Sequence, residues 1–359
     1  MHEVILSAGI DIGTSTTQLI FSRLTLENQA TSYMTPKISI VDKTVVYRSP
    51  IYFTPLKSAA EIDAEAVKGI VRREYAAAGM SPGEIQTGAV IITGETARKR
   101  NANEVLAALS DMAGDFVVAT AGPDLESVLS ARGAGADTLS KKRRMAVANL
   151  DVGGGTSNIA LYQNGALRGT CCLDIGGRLI KVDNGQVAYV YPKLQALANR
   201  HGIQISAGSR ADPDTLYQIC RLMAAQLAQA LHLSPMDSEH KRLYTNNGKT
   251  LPAQPAVQAI TFSGGVADCV YQETQGDVFR YGDIGVLLGR AIREEAALGR
   301  VERCAAAETI RATVVGAGTH ATDVSGSTIR YERSRLPVKN VPILKVSAED
   351  EASLETLKA

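Results

Sequence analysis

Residues 4–17, VILSAGIDIGTSTT, and residues 145–158, MAVANLDVGGGTSN, carry one design twice. In each, a short apolar run ends in Asp and then Gly, and a Gly/Thr/Ser loop leads into a second apolar run, at residues 16–24 and 157–162. Short apolar runs bounded by turn residues read as buried strands. A strand, Gly-rich turn and strand present successive backbone N–H groups to one point, because glycine lets the chain approach without a Cβ. Thr and Ser add hydroxyl donors. An Asp at the strand end has no attraction for a phosphate, so it must face a metal or the metal's waters. Mg²⁺ on the β- and γ-phosphates of a nucleotide meets that need, since it keeps several waters and takes few protein carboxylates. Either loop alone is an ordinary hairpin turn. Two of one design, about 140 residues apart, point to a duplicated lobe with a cleft between the copies.

The segments around the two hairpins repeat in kind. A strand over 38–47 follows the first, and from 58 to 78 the spacing turns helical, with Ile62, Val67, Ile70, Val71 and Tyr75 on one stripe. Strands at 89–93 and 116–120 flank a helix at 103–112, and Pro123 opens a further helix that ends near residue 133. Lys141-Lys142-Arg143-Arg144 reads as a solvated loop and marks a boundary. Beyond it, Asn164-Gly165 between apolar runs signals a hairpin joining 157–162 to 167–173. Helices are expected at 194–200, 214–232 and 284–298, strands at 257–262 and from Ile310 onward, and a polar helix-like segment at 347–359. The expected organisation is a two-lobed α/β fold: residues 1–144 as the first lobe, 145–300 as the second, and 301–359 as a C-terminal extension.

Across the 359 residues, 38 Lys+Arg balance 37 Asp+Glu, which lacks the basic excess of a nucleic-acid or membrane-surface protein. With 45% hydrophobic and 21% charged residues, the composition is globular, not disordered. Cys171, Cys172, Cys220, Cys269 and Cys304 are odd in number and include no C-x-x-C, so they form neither a disulfide framework nor a zinc site. Adjacent strand residues point to opposite faces, so Cys171 and Cys172 read as buried structural thiols. The start, MHEVILSAGIDIG, has no basic leader region, and no stretch approaches a membrane span. The reading is a cytoplasmic protein with neither nucleic acid nor membrane as partner. His2, His201, His232, His240 and His320 have no neighbours at ligand spacing, and none is offered as a metal or cobalamin ligand.

Four further motifs surround the two loops. Ile260-Thr261-Phe262-Ser263-Gly264-Gly265-Val266 is a buried strand leading to Gly-Gly, where backbone could lie against a flat base and ribose. Asp283-Ile284-Gly285-Val286-Leu287-Leu288-Gly289 opens a helix with a small-residue face suited to close helix packing. Val90-Ile91-Ile92-Thr93-Gly94-Glu95 is a strand, a turn and a carboxylate; Glu95 would serve equally as a helix N-terminal charge. Gly316-Ala317-Gly318-Thr319-His320 is a lone G-x-G, a weak signal for another phosphate loop.

In order, LSAGIDIGTST, AVIITGE, NLDVGGGTSN, ITFSGGV and DIGVLLGRA resemble the phosphate 1, connect 1, phosphate 2, adenosine and connect 2 motifs of the actin/sugar-kinase/heat-shock ATPase superfamily, and they cover the chain to about Leu298. The resemblance implies two ribonuclease H-like lobes with ATP in the cleft and hinge closure coupled to hydrolysis. It implies that Asp11 and Asp151 hold Mg²⁺ through water and that Glu95 orients the attacking water. Gly13, Thr14, Ser15 and Thr16 would cradle the phosphates from one lobe and Gly153, Gly154, Gly155 and Thr156 from the other, with Gly264 and Gly265 toward the adenosine. Within the superfamily, GIDIGTSTTQLIFSRL, VIITGETARKRNANEVL, LDVGGGTSNIALYQNG and ATVVGAGTHATDVSGSTI are similar to the ethanolamine ammonia-lyase reactivating factors, whose chains run longer at the C-terminus. This closer resemblance implies a Mg²⁺-dependent ATPase acting as a chaperone. Ethanolamine ammonia-lyase would be its protein partner, damaged cobalamin the group released, and the cytoplasm, with a bacterial microcompartment, its setting; a homo-oligomer stays open.

Two departures bear on mechanism. Heat-shock chaperones carry Asp where this chain has Asn158, so hydrolysis should be slow or lean on Glu95 and Asp11. The stretch SGSTIRYERSRLPV shows no peptide-binding domain, which counts against a general chaperone. A small-molecule kinase of the same superfamily would need a general-base Asp in the cleft, and no distinct motif supplies one. A filament-forming ATPase would sediment with nucleotide and usually carry a membrane-binding tail, whereas residues 347–359 are acidic.

Overall fold

The computed structural model describes residues 2–13, 16–28, 38–58, 61–93, 100–110, 116–120, 122–237, 240–245 and 248–320. Along the first part of the chain run β1 (His2–Ile12), β2 (Thr16–Asn28), β3 (Ile38–Arg48), β4 (Tyr52–Phe53), β5 (Leu56–Ser58), β6 (Glu61–Ile62), α1 (Ala64–Ala78), β7 (Thr87–Ile92), α2 (Ala102–Ser110), β8 (Phe116–Thr120), α3 (Pro123–Gly133) and α4 (Ala136–Arg143). There follow β9 (Ala146–Val152), β10 (Ser157–Gln163), β11 (Ala166–Leu173), β12 (Ile180–Asp183), β13 (Gln186–Val190), α5 (Pro192–Arg200), α6 (Pro213–Ala230), α7 (His240–Leu243), β14 (Ala259–Ser263), α8 (Ala267–Tyr271), α9 (Gly285–Glu294), β15 (Glu302–Arg303) and α10 (Ala312–His320).

Two sheets of matching order result: β3-β2-β1-β7-β8, with β4 also paired to β2, and β11-β10-β9-β14-β15. In each, three antiparallel strands are joined to two parallel ones through the strand that ends in Asp-x-Gly. This is a duplicated α/β core, the arrangement that the resemblance to the actin/sugar-kinase/heat-shock ATPase superfamily leads one to expect. The repeat extends to register: Ile12 faces Thr17 and Asp11 faces Gln18, while Val152 faces Ser157 and Asp151 faces Asn158.

Both faces of each sheet are covered, which suits the nearly unbroken apolar runs of β1, β7, β9 and β14. On one side of the first sheet, Ile10, Ile12, Leu19, Phe21, Val90 and Ile92 pack with Val67, Val71 and Tyr75 of α1. Its other side meets α3 and α10 through Ala89, Ile91, Leu129 and Ala317, and through Ile20, Val314 and Val315. The larger core packs Leu150, Val152 and Ile159 against α5, α6 and α9, and Val147, Ala160 and Ala259 cover the opposite face with Ala131 and Ala136.

Helix α3 lies on the second sheet and α10 on the first, and the two helices cross in close contact. A Cβ on Gly133 would overlap the Ala312 carbonyl, and one on Gly316 the Leu129 carbonyl, while a Cβ on Gly9 of β1 would come within 2.6 Å of the Val314 carbonyl. Three expectations are corrected here. The run from Ile310 is helical, not a strand, and Gly316 is a packing position within that helix, not a phosphate loop. Lys141, Lys142 and Arg143 form the last turn of α4, where cations complement the helix C-terminus, and Arg143 pairs with Glu302 at 2.5 Å. Helix α1 begins at Ala64, capped by Asp63 at 3.1 Å from the Ala66 N–H, while Leu56–Ser58 and Glu61–Ile62 pair as short strands. The expected helix over 347–359 and the stretch SGSTIRYERSRLPV lie outside the described residues.

All five cysteines are buried and unbridged, and among the described residues no helix is long and apolar enough to cross a membrane. Replacing Gly316 with Ala forces a side-chain atom into the backbone of α3. Gly316→Ala is therefore expected to cost about 1–3 kcal/mol of stability in denaturant unfolding. Gly83→Ala, where nothing lies within 4 Å, should stay within about 0.5 kcal/mol of the parent.

Candidate functional site

The two Asp-x-Gly turns close in the same way. The Gly13 N–H donates to the Thr16 carbonyl at 2.8 Å, and the Gly153 N–H to that of Thr156 at 2.9 Å. The Thr54 hydroxyl holds the first turn from outside, donating to the Gly13 carbonyl at 2.8 Å. Asp11 and Asp151 end their strands nearly buried, at 8% and 5% exposure. Asp11 accepts a bond from the Thr93 hydroxyl at 3.1 Å. Asp151 accepts a shorter one, 2.6 Å, from Ser263. Behind Ser263 the chain continues: the Asn149 amide donates to the Ser263 oxygen at 2.9 Å, and the Thr261 hydroxyl to the Asn149 carbonyl oxygen at 2.9 Å.

Burial pushes the Asp11 carboxyl up to about 7, with the Thr93 bond opposing and the charge of Asp151 adding to the rise. Burial likewise raises Asp151 to about 6, against the Ser263 bond. The two turns thus bring like charges from different sheets within electrostatic reach of each other. Directly opposed strand residues share a face, so Gln18 flanks Asp11 and Asn158 flanks Asp151. Among the described residues, Gln18 Oε1 and Asn158 Oδ1 are buried acceptors with no hydrogen-bond partner. Two carboxylates and two orphaned amide oxygens suit a hard cation that brings its own waters as donors, and Mg²⁺ is such a cation. Among the described residues no cluster of three or more His, Cys, Asp or Glu offers a closed cage for a metal.

The second turn is also a set of aimed donors. The Gly153 carbonyl accepts from the Gly177 N–H at 3.0 Å and the Gly154 carbonyl from the Arg178 N–H at 2.7 Å. In a planar trans peptide the N–H opposes the C=O, so the N–H groups of Gly154 and Gly155 point away from the 177–178 segment. Neither has a hydrogen-bond partner among the described residues. A Cβ on Gly155 or Gly265 would meet none of the described residues within 4 Å. Gly264, at φ 86, sits where a Cβ would come within 2.5 Å of the Val152 carbonyl, and its N–H donates to Thr309 at 3.1 Å.

Asp11, Gly13 and Thr16 therefore gather at one turn, and Asp151, Gly153, Gly154, Gly155 and Thr156 at the other, with Gly264 and Gly265 beside the second. Thr14, Ser15 and Glu95 lie outside the described residues. Sequence reasoning did not single out Thr93, Asn149, Thr261 or Ser263 as supports of the carboxylates. The available signal is polar residues at every second position of otherwise apolar strands, as in Asn149/Asp151 and Thr261/Ser263.

The raised carboxyls fix the sign of a pH effect. The folded chain holds these protons more tightly than the unfolded one, so the stabilisation is complete below about pH 4 and is lost as pH rises through the folded values. In EDTA, the melting temperature should carry a falling contribution from these groups between about pH 5 and pH 8. Asp11→Asn should flatten that slope, and an unchanged slope in this variant would contradict the assignment.

The family model for ethanolamine utilisation protein EutA matches residues 3–359. The ethanolamine ammonia-lyase reactivase EutA of Escherichia coli strain K12 is 41% identical over 345 residues, covering 94% of this chain and 72% of its own. Its counterpart from Salmonella typhimurium strain LT2 is 41% identical over 354 residues, 98% of this chain and 74% of its own. Among solved structures, a Ppx/GppA family member from Aquifex aeolicus superposes with a TM-score of 0.48 at 14% identity, covering 90% of this chain and all of its own. With a family match running through both Asp-x-Gly turns and nearly every described element, the chain belongs to the EutA family of ethanolamine utilisation proteins.

Proposed function

We propose that the chain is an ATP-dependent reactivating factor that releases damaged cobalamin from ethanolamine ammonia-lyase so that intact coenzyme can enter. The observation that carries this reading is 41% identity to a curated reactivase over 98% of the chain, a span that takes in both carboxylate turns. We read the two sheets as the cores of two lobes, residues 1–144 and 145–300, with the nucleotide between them and residues 301–359 following. The cytoplasm, together with a microcompartment that houses the lyase, is the proposed setting.

In this reading Asp11 and Asp151 hold Mg²⁺ through its waters, and Gln18 Oε1 and Asn158 Oδ1 accept from those waters. When bound, Mg²⁺ supplies positive charge that offsets the charge gathering on the transferring phosphoryl group. The Gly13 and Gly153 N–H groups are spent on closing their turns, so the free backbone donors to phosphate at the second turn are those of Gly154 and Gly155. Thr14, Ser15, Thr16 and Thr156 add hydroxyl donors, Gly264 and Gly265 face the adenosine, and Glu95 orients the attacking water. A γ-phosphate contacted from both turns ties the lobes together, and its loss lets the cleft open and act on the bound lyase.

The test is ATP hydrolysis by the purified chain with Mg²⁺, alone and with cobalamin-inactivated lyase, followed by lyase recovery when fresh coenzyme is added. ATP-dependent recovery is expected, with turnover falling at least about 100-fold in Asp11→Ala and in Asp151→Ala. ATP hydrolysis with no recovery under any of these conditions overturns the reactivating role. Because the carboxylates must ionise to hold a cation, Mg²⁺ is also expected to raise the melting temperature more at pH 8 than at pH 6.

A further inference from the structure

Beside the open donors of the second turn stands a cation that no motif accounts for. Arg178 lies on the connection from β11 to β12, directly after Gly176 and Gly177. That connection is wedged against the turn. A Cβ on Gly176 would overlap the Gly154 carbonyl, and one on Gly177 would lie 2.9 Å from the Gly285 Cα at the start of α9. The Arg178 stem crosses Gly154, where an added Cβ would meet Cβ, Cγ and Cδ of the arginine at 3.4–3.5 Å. The arginine stem thus lies in van der Waals contact with the face of Gly154.

The far end of this side chain is tethered but not used up. Arg178 Nε lies 3.4 Å from Asp283 Oδ2, a long contact, and the side chain is 32% exposed. Asp283 is itself fixed, because its Oδ1 accepts the Gly285 N–H at 2.8 Å. Among the described residues the guanidinium has no other hydrogen-bond partner, so both terminal nitrogens are left for something else. A guanidinium presents planar paired donors that match a phosphate, and it gains most where water is partly excluded.

We propose that Arg178 is a phosphate-contacting residue of the nucleotide site: tethered by Asp283 across Gly154, its guanidinium meets the terminal phosphate of a nucleoside triphosphate beside the Gly154 and Gly155 N–H groups. This rests on the nucleotide reading above. It assigns to the β11–β12 connection a direct part in telling a triphosphate from a diphosphate.

The test is calorimetric titration of Mg-ATP and Mg-ADP into the full chain and into Arg178→Met and Arg178→Lys. Methionine keeps an apolar stem over Gly154 and removes the charge, and lysine restores the charge. Arg178→Met is expected to weaken ATP binding by about 10- to 100-fold while ADP binding moves less than about threefold, at an unchanged melting temperature. Arg178→Lys should recover part of the loss. ATP binding unchanged in Arg178→Met, or ATP and ADP weakened equally, overturns the assignment. A parent chain that binds neither nucleotide overturns the nucleotide reading itself, and this assignment with it; that arm separates the two failures.

Discussion

The close crossing of α3 and α10 is the constraint on which the rest of the molecule depends. Each helix belongs to a different sheet, and the crossing permits no side chain at Gly133 or Gly316 and none on Gly9 of the strand beneath. Backbone resting on backbone sets the separation of the sheets with little freedom, since no flexible side chain lies between to absorb a shift. The two Asp-x-Gly turns stand on the central strands of those sheets. How Asp11 and Asp151 stand to each other is therefore decided in part at a crossing made of glycines.

That arrangement has an energetic consequence. Burial makes each carboxylate expensive to ionise, the charge of Asp151 adds to that cost at Asp11, and both hold their protons well above the ordinary 3.8. Duplication alone would have placed an uncompensated pair at the centre of the fold. The flanking Gln18 and Asn158 carry no charge to offset it, and among the described residues each keeps an acceptor oxygen unpaired. The site is a set of acceptors matched by nothing in the described chain, next to a turn whose Gly154 and Gly155 N–H groups are donors matched by nothing. An acceptor set beside a donor set describes the complement of a hydrated cation carried by an anion.

Much of this was legible in the residues. The two hairpins, their Asp and Gly positions, the Asn164-Gly165 turn and the helical stripe of α1 follow from local rules, since turn chemistry and apolar period act over a few residues. What failed depended on distant partners. IRATVVGAG reads as a strand and then a loop because it is short, apolar, β-branched and ends in glycines. It is a helix because packing on α3 demands small residues there, a requirement held by Gly133 almost two hundred positions away. Lys141-Lys142-Arg143 reads as a loop by its charge, yet these are good helix formers placed at a helix C-terminus. Arg178 carries no local mark, and Asp283 is marked only as the first residue of DIGVLLGRA; their pairing arises only where the β11–β12 connection, the second turn and α9 converge.

The duplication is close in backbone and unequal in chemistry. At the second turn Asp151 is supported at 2.6 Å by Ser263, whose own oxygen is polarised by Asn149 and in turn by Thr261, a file of buried donors aimed at one carboxylate. At the first turn Asp11 has one bond from Thr93, at 3.1 Å. Hydrogen bonds to the charged form favour it, and linked donors strengthen one another in a low-dielectric interior. Burial raises both carboxyls; the Ser263 bond opposes the rise at Asp151, whereas at Asp11 the Thr93 bond opposes it and the charge of Asp151 adds to it. The charge of Asp151, once present, adds to the resistance of Asp11 to ionisation. The two copies are therefore unequally supported: the second sheet holds its carboxylate at the end of a file of three polar side chains, and the first by one hydroxyl.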